Sequence, residues 1–343
     1  MKISIKALSC AALATLFSLP SAQAADEVNI YSYRQQFLIQ PLLDAFTEET
    51  GIATKVVFAK KGLLARLKHE DKNSPADVLL TSDIGPLYDA VEQGLTQPIR
   101  SEIIDRNVPA KYRDPAHQWV GLTSRSRIIY ASKERVEAGE ISRYEDLTDP
   151  KWKGRICTRS GKHTYNLSLI GSMIAHKGEA ETKQWVEGLK ANLARKPQGN
   201  DRAQVKAVKE GVCDIALGNS YYFGKMITND KKPEQIEWAQ SVNLIFPNQD
   251  DRGAHMNISG AAITKYAPHP AAAQKLIEFL TTEKAQKLYA EVNFEFPVRP
   301  GTERSELLNK YMGEFKEDAI NLQKVAEQRS AAAKLADQVG FDN

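Results

Sequence analysis

Three tyrosines lie in two segments of the chain that share one spacing. Tyr165 follows Cys157 by eight residues, and Tyr221, with Tyr222 directly after it, follows Cys213 by eight residues. A disulfide between the two cysteines would hold their segments side by side, so both tyrosine-bearing loops would open at one end of the same lobe. The chain contains 12 tyrosines, so the adjacent pair taken alone is more typical of packing than of a site.

The setting of the tyrosine pair favours a site. A strand predicted at Cys213–Leu217 is followed by a short polar turn, and Ser220 could cap a helix that begins at Tyr221. Neighbouring side chains of a strand point to opposite faces, whereas on the first turn of a helix Tyr221 and Tyr222 can lean toward one point. The positive end of the helix dipole at this turn also favours phenolate over phenol.

Converging phenol oxygens suit a hard trivalent cation such as Fe³⁺. Hard cations prefer anionic oxygen, whereas softer metals prefer thiolate and imidazole. Free tyrosine titrates near pH 10, and a bound Fe³⁺ would force the phenols to deprotonate. Three phenolates would then neutralise the charge of the ion and leave coordination positions for a small anion or water.

Two arginines are candidates to hold that anion. Arg125 and Arg127 lie on a segment with strand character, and a guanidinium group can bind a small oxyanion through two parallel hydrogen bonds. Either arginine could equally well be a solvent-exposed residue at the edge of a strand, with no role in binding an anion. His163 lies beside Tyr165, but a single histidine next to a loop is more often solvated than a metal ligand.

Catalytic and nucleotide-binding sites are not indicated by the sequence. It contains no glycine-rich phosphate loop, no zinc-type spacing of Cys and His, and no Gly-x-Ser-x-Gly nucleophile turn. A nucleophile paired with a base is not recognisable either. The sequence therefore favours a binding protein over an enzyme.

The N-terminus is typical of a secretory signal peptide. Lys2 and Lys6 form a short positive region, Ala7–Leu19 is almost entirely apolar, and Ala22 and Ala24 provide the small residues that a signal peptidase requires. We therefore predict cleavage after Ala24 and a periplasmic location. Removal of this segment takes two lysines and no acidic residue from a chain of net charge +3, leaving about +1. Such a charge argues against binding of nucleic acid.

Two cysteines remain after cleavage, Cys157 and Cys213. An even number of cysteines in an exported protein predicts a disulfide. Two buried free thiols are the alternative.

Strand-like and helix-like segments alternate through the chain. Between Val28 and Gln93 three strands and three helices follow one another, which predicts a mostly parallel sheet covered on both faces. A second series follows, and no flexible linker separates the two. We therefore predict two α/β lobes. The N-terminal lobe would comprise residues 25–124 and about 252–300, and the C-terminal lobe about 125–251 and 301–343.

Several segments together resemble one family, the periplasmic ferric-iron-binding proteins that supply ABC importers. The likeness runs over nearly the whole mature chain and is far more specific than the tyrosine pair alone. These segments are Tyr31–Arg34, Arg125–Arg127, Trp152–Cys157, Tyr165–Leu169, Ala194–Arg202, Cys213–Tyr222 and Asn257–Ala261.

The resemblance implies an α/β, type II periplasmic binding protein of the Venus-flytrap kind, similar to a transferrin lobe. Its two lobes would close over a central cleft by a hinge. The resemblance also implies that Tyr165, Tyr221 and Tyr222 ligate Fe³⁺. Arg125 would be the arginine nearest the metal or its companion anion, with Arg127 as the second candidate.

The sequence departs from many members of this family directly after its first strand. They carry a His-Tyr pair where this chain carries Gln35 and Gln36. Neither amide replaces a phenolate, so the first lobe is predicted to supply no protein ligand and an exogenous anion such as carbonate to complete the shell. Gln35 or Gln36 could hydrogen-bond the anion or a metal-bound water. Lys225 lies where some members carry a basic group near the ligands.

The implied partner is an ABC-type iron permease in the inner membrane, and the chain is expected to act as a monomer. The alternative is a binding protein of the same fold for an organic solute, such as a polyamine or a phosphorylated vitamin. The tyrosines would then be stacking surfaces for a cation. The cleft candidates include no cluster of acidic residues for an amine, and an orange-red colour with ferric iron would distinguish the two hypotheses.

Overall fold

The computed structural model describes residues 27–343, so the signal peptide predicted at 1–24 lies outside the described residues. Ten strands occur in this range: β1 Glu27–Ser32, β2 Ala53–Phe58, β3 Val78–Thr81, β4 Thr96–Gln97, β5 Val120–Ser132, β6 Ile156–Cys157, β7 Ile215–Asn219, β8 Val242–Ile245, β9 Met256–Thr264 and β10 Phe296–Pro297. Thirteen α-helices accompany them there: α1 Gln36–Thr50, α2 Leu63–Glu70, α3 Ile84–Glu92, α4 Glu102–Asn107, α5 Thr164–Ala191, α6 Asp201–Lys209, α7 Tyr221–Ile227, α8 Glu234–Gln240, α9 Pro270–Leu280, α10 Glu283–Asn293, α11 Glu306–Met312, α12 Leu322–Glu327 and α13 Arg329–Val339. Within residues 27–343, no helix has both the length and the apolar character needed to cross a membrane.

The first three strands form the parallel part of the sheet. β1 lies between β2 and β3 and pairs with both in parallel, as the alternation of strands and helices predicts. α1 buries Leu42, Leu43 and Phe46 in the apolar core beside these strands. α3 begins after Asp83, whose carboxylate accepts a hydrogen bond from Gly85 N at 2.8 Å. Asp83 therefore caps this helix.

Two long strands, β5 and β9, lie at the centre of the fold. Residues 120–126 of β5 pair with β9, and residues 127–132 pair with β7 and β8, so β5 runs from the first sheet into the second. These pairings and that of β3 with β9 are antiparallel. Every residue of β5 and β9 is buried. Strands buried on both faces do not alternate hydrophobic and polar residues, so their sequences do not indicate which strands pair with them. The parallel sheet predicted for the first series is present in β1–β3, whereas the centre is antiparallel.

Each lobe has an apolar core of its own. The first core surrounds β1–β3 and contains Phe46 and Trp119. The second packs α5 and α13 against β5 and β7 and contains Ile129 and Trp185. A third cluster contains Tyr130, the strand neighbour of Ile129, and therefore covers the opposite face of the second sheet. The predicted two-lobed α/β fold is thus present, and the predicted lobe boundaries stay a prediction.

A disulfide joins Cys157, at the end of β6, to Cys213, just before β7. The predicted pairing is therefore present in the structure, in place of the two free thiols that were the alternative. β6 and β7 also pair in parallel, so the covalent bond and the backbone hydrogen bonds hold the same two segments together. These segments lead into the helices that carry the candidate tyrosines.

Replacing both cysteines with serine is expected to lower the free energy of unfolding by about 2–4 kcal/mol. The bridge closes a loop across a sequence separation of 56 residues, and its loss gives the unfolded chain more conformational freedom. Thermal or denaturant unfolding of the Cys157→Ser, Cys213→Ser variant measures this difference. Reduced wild-type protein should behave as the variant does, and equal stability of oxidised wild type and variant would contradict the expectation.

Candidate metal centre

A cleft of about 570 Å³ opens between residues of both lobes. It contains all three candidate tyrosines together with Arg125, Gln35 and Lys225. The remaining lining residues are Tyr33, Arg34, Phe37, Leu38, Ser82, Arg202, Thr228, Asn229, Val292, Asn293, Phe294 and Glu295.

Tyr165 lies on the first turn of α5, where a histidine fixes the backbone. Nδ1 of His163 accepts a hydrogen bond from Tyr165 N at 3.2 Å, so His163 caps the helix. Burial, together with the charge of Arg159, lowers the pKa of His163 to about 3. The ring is therefore neutral at physiological pH and able to accept this bond. His163 is partly buried and acts as a helix cap, a role that the sequence did not indicate.

Tyr221 and Tyr222 occupy the first turn of α7, directly after β7. Their ring centroids lie 4.3 Å apart, and Tyr221 Oη lies 3.3 Å from Tyr165 Oη. Contrary to the prediction, the side chain of Ser220 does not cap this helix. Its Oγ instead accepts a hydrogen bond from Ser126 N at 3.2 Å, which ties the start of α7 to β5.

The two adjacent tyrosines are neutral phenols in the metal-free protein. Burial raises the pKa of Tyr221 well above its ordinary value, and the neighbouring Tyr165 and Tyr222 raise it further. Burial likewise raises the pKa of Tyr222, with a second contribution from Tyr165. A cation placed among the oxygens would reverse this balance, because it stabilises the phenolate form.

Three guanidinium groups surround the ring of Tyr165. The Cζ atoms of Arg125 and Arg127 each lie 6.0 Å from the ring centroid, and that of Arg159 lies 5.2 Å away. Cations at these distances from an aromatic ring are attracted to its face. The site therefore combines clustered phenol oxygens with nearby positive charge that suits a small anion.

Of the two candidate arginines, Arg125 is the one that lines the cleft, although only 1% of its surface is exposed. Its Nη1 donates to Ser259 Oγ at 3.2 Å, and its Nη2 donates to the carbonyl of Ser82. Its Nε is buried and has no hydrogen-bond partner among residues 27–343. A buried donor without a partner is unfavourable, and an anion in the cleft would relieve it.

Arg127 has a different position, below the tyrosines and outside the cleft lining. Its Nη1 donates to Asp201 Oδ2 at 2.9 Å and to Asn219 Oδ1 at 3.1 Å, and its Nη2 donates to Asn166 Oδ1 at 2.8 Å. Burial acts to raise the pKa of Asp201, but the charges of Arg127 and Arg159 hold it below its ordinary value. This buried network fixes the strand ends behind the tyrosines.

The usual metal-binding side chains do not form a site of their own. Among residues 27–343, no group of three or more His, Cys, Asp or Glu side chains is arranged to hold a metal ion. In that part of the chain, the tyrosine cluster is therefore the candidate centre.

Comparison with known proteins identifies the family. Residues 73–321, more than half of the chain, match the family described as bacterial extracellular solute-binding proteins. The chain belongs to this family. Solute-binding proteins take part in transport, and the prediction of a binding protein agrees with this assignment.

Several individual relatives of this solute-binding protein are named for iron. Iron uptake protein A1 of Synechocystis sp. is 42% identical over 329 residues, which are 94% of this chain and 91% of that protein. The structure of Mannheimia haemolytica ferric iron-binding protein A in an open conformation is 51% identical, covers 93% of this chain and 100% of that chain, and has a TM-score of 0.88. A Trichodesmium protein in complex with iron and citrate ligands is 42% identical, covers 92% and 99%, and also has a TM-score of 0.88. The predicted resemblance and fold class are confirmed.

The remaining predicted residues of this solute-binding protein differ in their positions. Gln35 is exposed and lines the cleft. Gln36 does not line it, and its Nε2 donates to Gln40 Oε1 at 3.1 Å along α1. Lys225 lines the cleft and donates to Val292 O at 2.8 Å, while burial lowers its pKa. Lys225 therefore joins α7 to the last turn of α10.

Sequence reasoning missed a buried ion pair in the first lobe. Arg34 Nη2 lies 2.6 Å from Glu295 Oε2, and Thr123 Oγ1 donates to the same oxygen at 2.7 Å. Arg34 also donates to Ser259 Oγ. The Tyr31–Arg34 segment is part of the family resemblance, but the sequence indicated no role for Arg34.

A fourth tyrosine of the cleft, Tyr33, was also missed. Its Oη accepts a hydrogen bond from Leu64 N at 3.2 Å. The first lobe therefore does bring a phenol to the cleft, but that phenol is engaged with the backbone at the start of α2.

Proposed function

We propose that this chain is a periplasmic binding protein that captures Fe³⁺ in the cleft and delivers it to an ABC-type permease. The observation that carries the proposal is the 3.3 Å separation of the Tyr165 and Tyr221 oxygens in the cleft that Tyr222 also lines. Phenol oxygens this close together in one cleft match the preference of a hard cation for oxygen donors. The names of similar proteins, iron uptake protein A1 and ferric iron-binding protein A, support the same cargo.

The three phenols bind the cargo as phenolates and release protons when they do so. Their charges neutralise Fe³⁺, and a small exogenous anion such as carbonate occupies coordination positions that remain. Arg125 holds this anion, because its Nε is a buried donor without another partner in the described part of the chain. Gln35 lies on the opposite side of the cleft, where it can bond the anion or a metal-bound water.

The transport role includes features outside the metal centre. Residues 1–24 direct export and are removed after Ala24, so the mature protein works in the periplasm as a monomer. The two lobes, 25–124 with about 252–300 and about 125–251 with 301–343, rotate about β5, which runs from one sheet into the other. Exposed surfaces of both lobes contact the permease.

A visible spectrum of the mature protein tests the proposal. Addition of ferric citrate with bicarbonate should give an orange-red protein with a broad charge-transfer band, saturating at one Fe³⁺ per chain. A folded protein that gives no band under these conditions would refute the proposal. In that case, mass spectrometry of the small molecules that copurify would test the organic-solute alternative.

Replacing Arg125 with glutamine is expected to raise the bicarbonate concentration needed for half-maximal colour by about ten- to hundredfold. A charge-assisted hydrogen bond to an anion contributes on the order of 1.5–3 kcal/mol, and glutamine cannot supply it. Titration of bicarbonate at fixed iron measures the shift. Arg304→Gln, outside the cleft lining, is the control and should leave the titration unchanged; an unchanged Arg125→Gln titration would remove Arg125 from its assigned role.

A further inference from the structure

A polar cluster around the buried side chain of Asp83 connects the two lobes beside Tyr165. We define this interlobe cluster as Asp83, Thr164, Ser168, Asn257 and Arg329. Thr164 Oγ1 donates to Asp83 Oδ1 at 2.7 Å and accepts from Arg329 Nη1 at 3.0 Å. Asn257 Nδ2 donates to Asp83 Oδ2 at 2.8 Å and to Ser168 Oγ at 2.9 Å.

Asp83 is the centre of this interlobe cluster. Only 2% of its surface is exposed, and its two oxygens accept bonds from Gly85 N, Thr164 and Asn257. Arg329 Nη1 lies 3.9 Å from the same carboxylate. Buried carboxylates with this many donors are held in one geometry, because each lost bond would leave a buried polar group unsatisfied.

The local sequence leaves space for the arginine. A Cβ atom at position 85 would collide with the guanidinium group of Arg329. Gly85 therefore allows Arg329, from α13, to lie against the start of α3. Arg329 Nε also lies 3.7 Å from Asp89 Oδ2 on that helix, so the arginine contacts the first lobe and Thr164 of α5 at once.

We propose that Asp83 is a positioning residue that holds Tyr165 in its iron-binding place through Thr164. The inference rests on the proposed function and adds to it a residue that does not touch the metal. Asp83 follows β3 of the first lobe, whereas Thr164 is the first residue of α5, whose core is that of the second lobe. Since Tyr165 comes next in the chain, the Asp83–Thr164 bond fixes the turn that carries the phenol.

This arrangement couples the position of the lobes to the metal centre. Rotation of one lobe against the other changes the distance between Asp83 and Thr164, since the two residues belong to different lobes. By reciprocity, iron bound to Tyr165 then favours the lobe arrangement in which this bond is made.

Iron release from Thr164→Val tests the inference. Valine keeps the size of threonine but removes the hydroxyl, so release of Fe³⁺ to excess EDTA, followed by loss of the visible band, should be about tenfold faster than from wild type. Thr164→Ser keeps the hydroxyl and should release iron at the wild-type rate. Asp83→Ala removes the acceptor oxygen and should also accelerate release, and adding Thr164→Val to it should accelerate release no further, because the bond between the two side chains is already lost.

A matched control separates positioning from general stability. Thr182 is a buried threonine of the same helix, and its Oγ1 donates to Gly178 O at 2.7 Å, away from the cleft. Thr182→Val should lower the melting temperature without changing iron release. Unchanged or slower release from Thr164→Val, or equal acceleration by Thr182→Val, would overturn the inference. Absence of a visible band in the wild type would instead overturn the proposed function.

Discussion

Replacing Tyr221 with phenylalanine should lower the affinity for Fe³⁺ by on the order of a thousandfold. The substitution removes one of the three proposed ligand oxygens and leaves the ring, its packing on Tyr222 and the start of α7 in place. Loss of groups that only support a metal ligand typically lowers affinity by about ten- to hundredfold, so loss of a charged ligand should exceed that range. Tyr165→Phe should have a comparable effect, because its oxygen lies 3.3 Å from that of Tyr221.

Competition with a chelator of known ferric affinity measures this loss. The charge-transfer band of any remaining complex should also be weaker, since one phenolate no longer contributes. Tyr266→Phe is the matched control, because Tyr266 is 42% exposed and does not line the cleft. Equal affinity of Tyr221→Phe and Tyr266→Phe would show that Tyr221 is not a ligand.

Iron affinity should fall steeply as the pH falls from about 8 to about 6. The raised pKa values of Tyr221 and Tyr222 mean that both are protonated in the metal-free protein throughout this range. Each must lose its proton when iron binds, so protons and Fe³⁺ compete for the same oxygens. Release of two protons makes the affinity for free Fe³⁺ about a hundredfold weaker for each pH unit lost.

Competition titrations at several pH values test this dependence, with the proton-dependent affinity of the chelator taken into account. Protonation of carbonate acts in the same direction, so titrations at fixed carbonate concentration separate the two contributions. An affinity for free Fe³⁺ that changes by less than about tenfold between pH 8 and pH 6 would contradict phenolate ligation by this pair.

The tyrosine cluster could be predicted because short stretches of sequence determine it. An apolar strand followed by a polar turn and a helix places Tyr221 and Tyr222 on one helical turn, and α7 begins at Tyr221 in the structure. The equal spacing from Cys157 and Cys213 predicts that the segments lie together, and the disulfide joins them. The positions of the three tyrosines could therefore be predicted from local chain geometry.

The groups that surround the tyrosines could not be predicted in the same way. Asp201 reaches Arg127 across 74 residues of sequence, Glu295 reaches Arg34 across 261, and Asp83 reaches Thr164 across 81. Such pairs depend on how the sheets and helices pack, which no local pattern encodes. The antiparallel centre of the sheet was missed for a related reason, because fully buried strands do not indicate their neighbours.

Crystals of the iron-loaded protein, measured at wavelengths on both sides of the iron absorption edge, test the central claim most directly. The account predicts a single strong anomalous peak in the cleft, within bonding distance of the Tyr165, Tyr221 and Tyr222 oxygens and adjacent to an anion on Arg125. A peak bonded to other residues, or a coloured protein whose iron contacts fewer than two of these tyrosines, would contradict it.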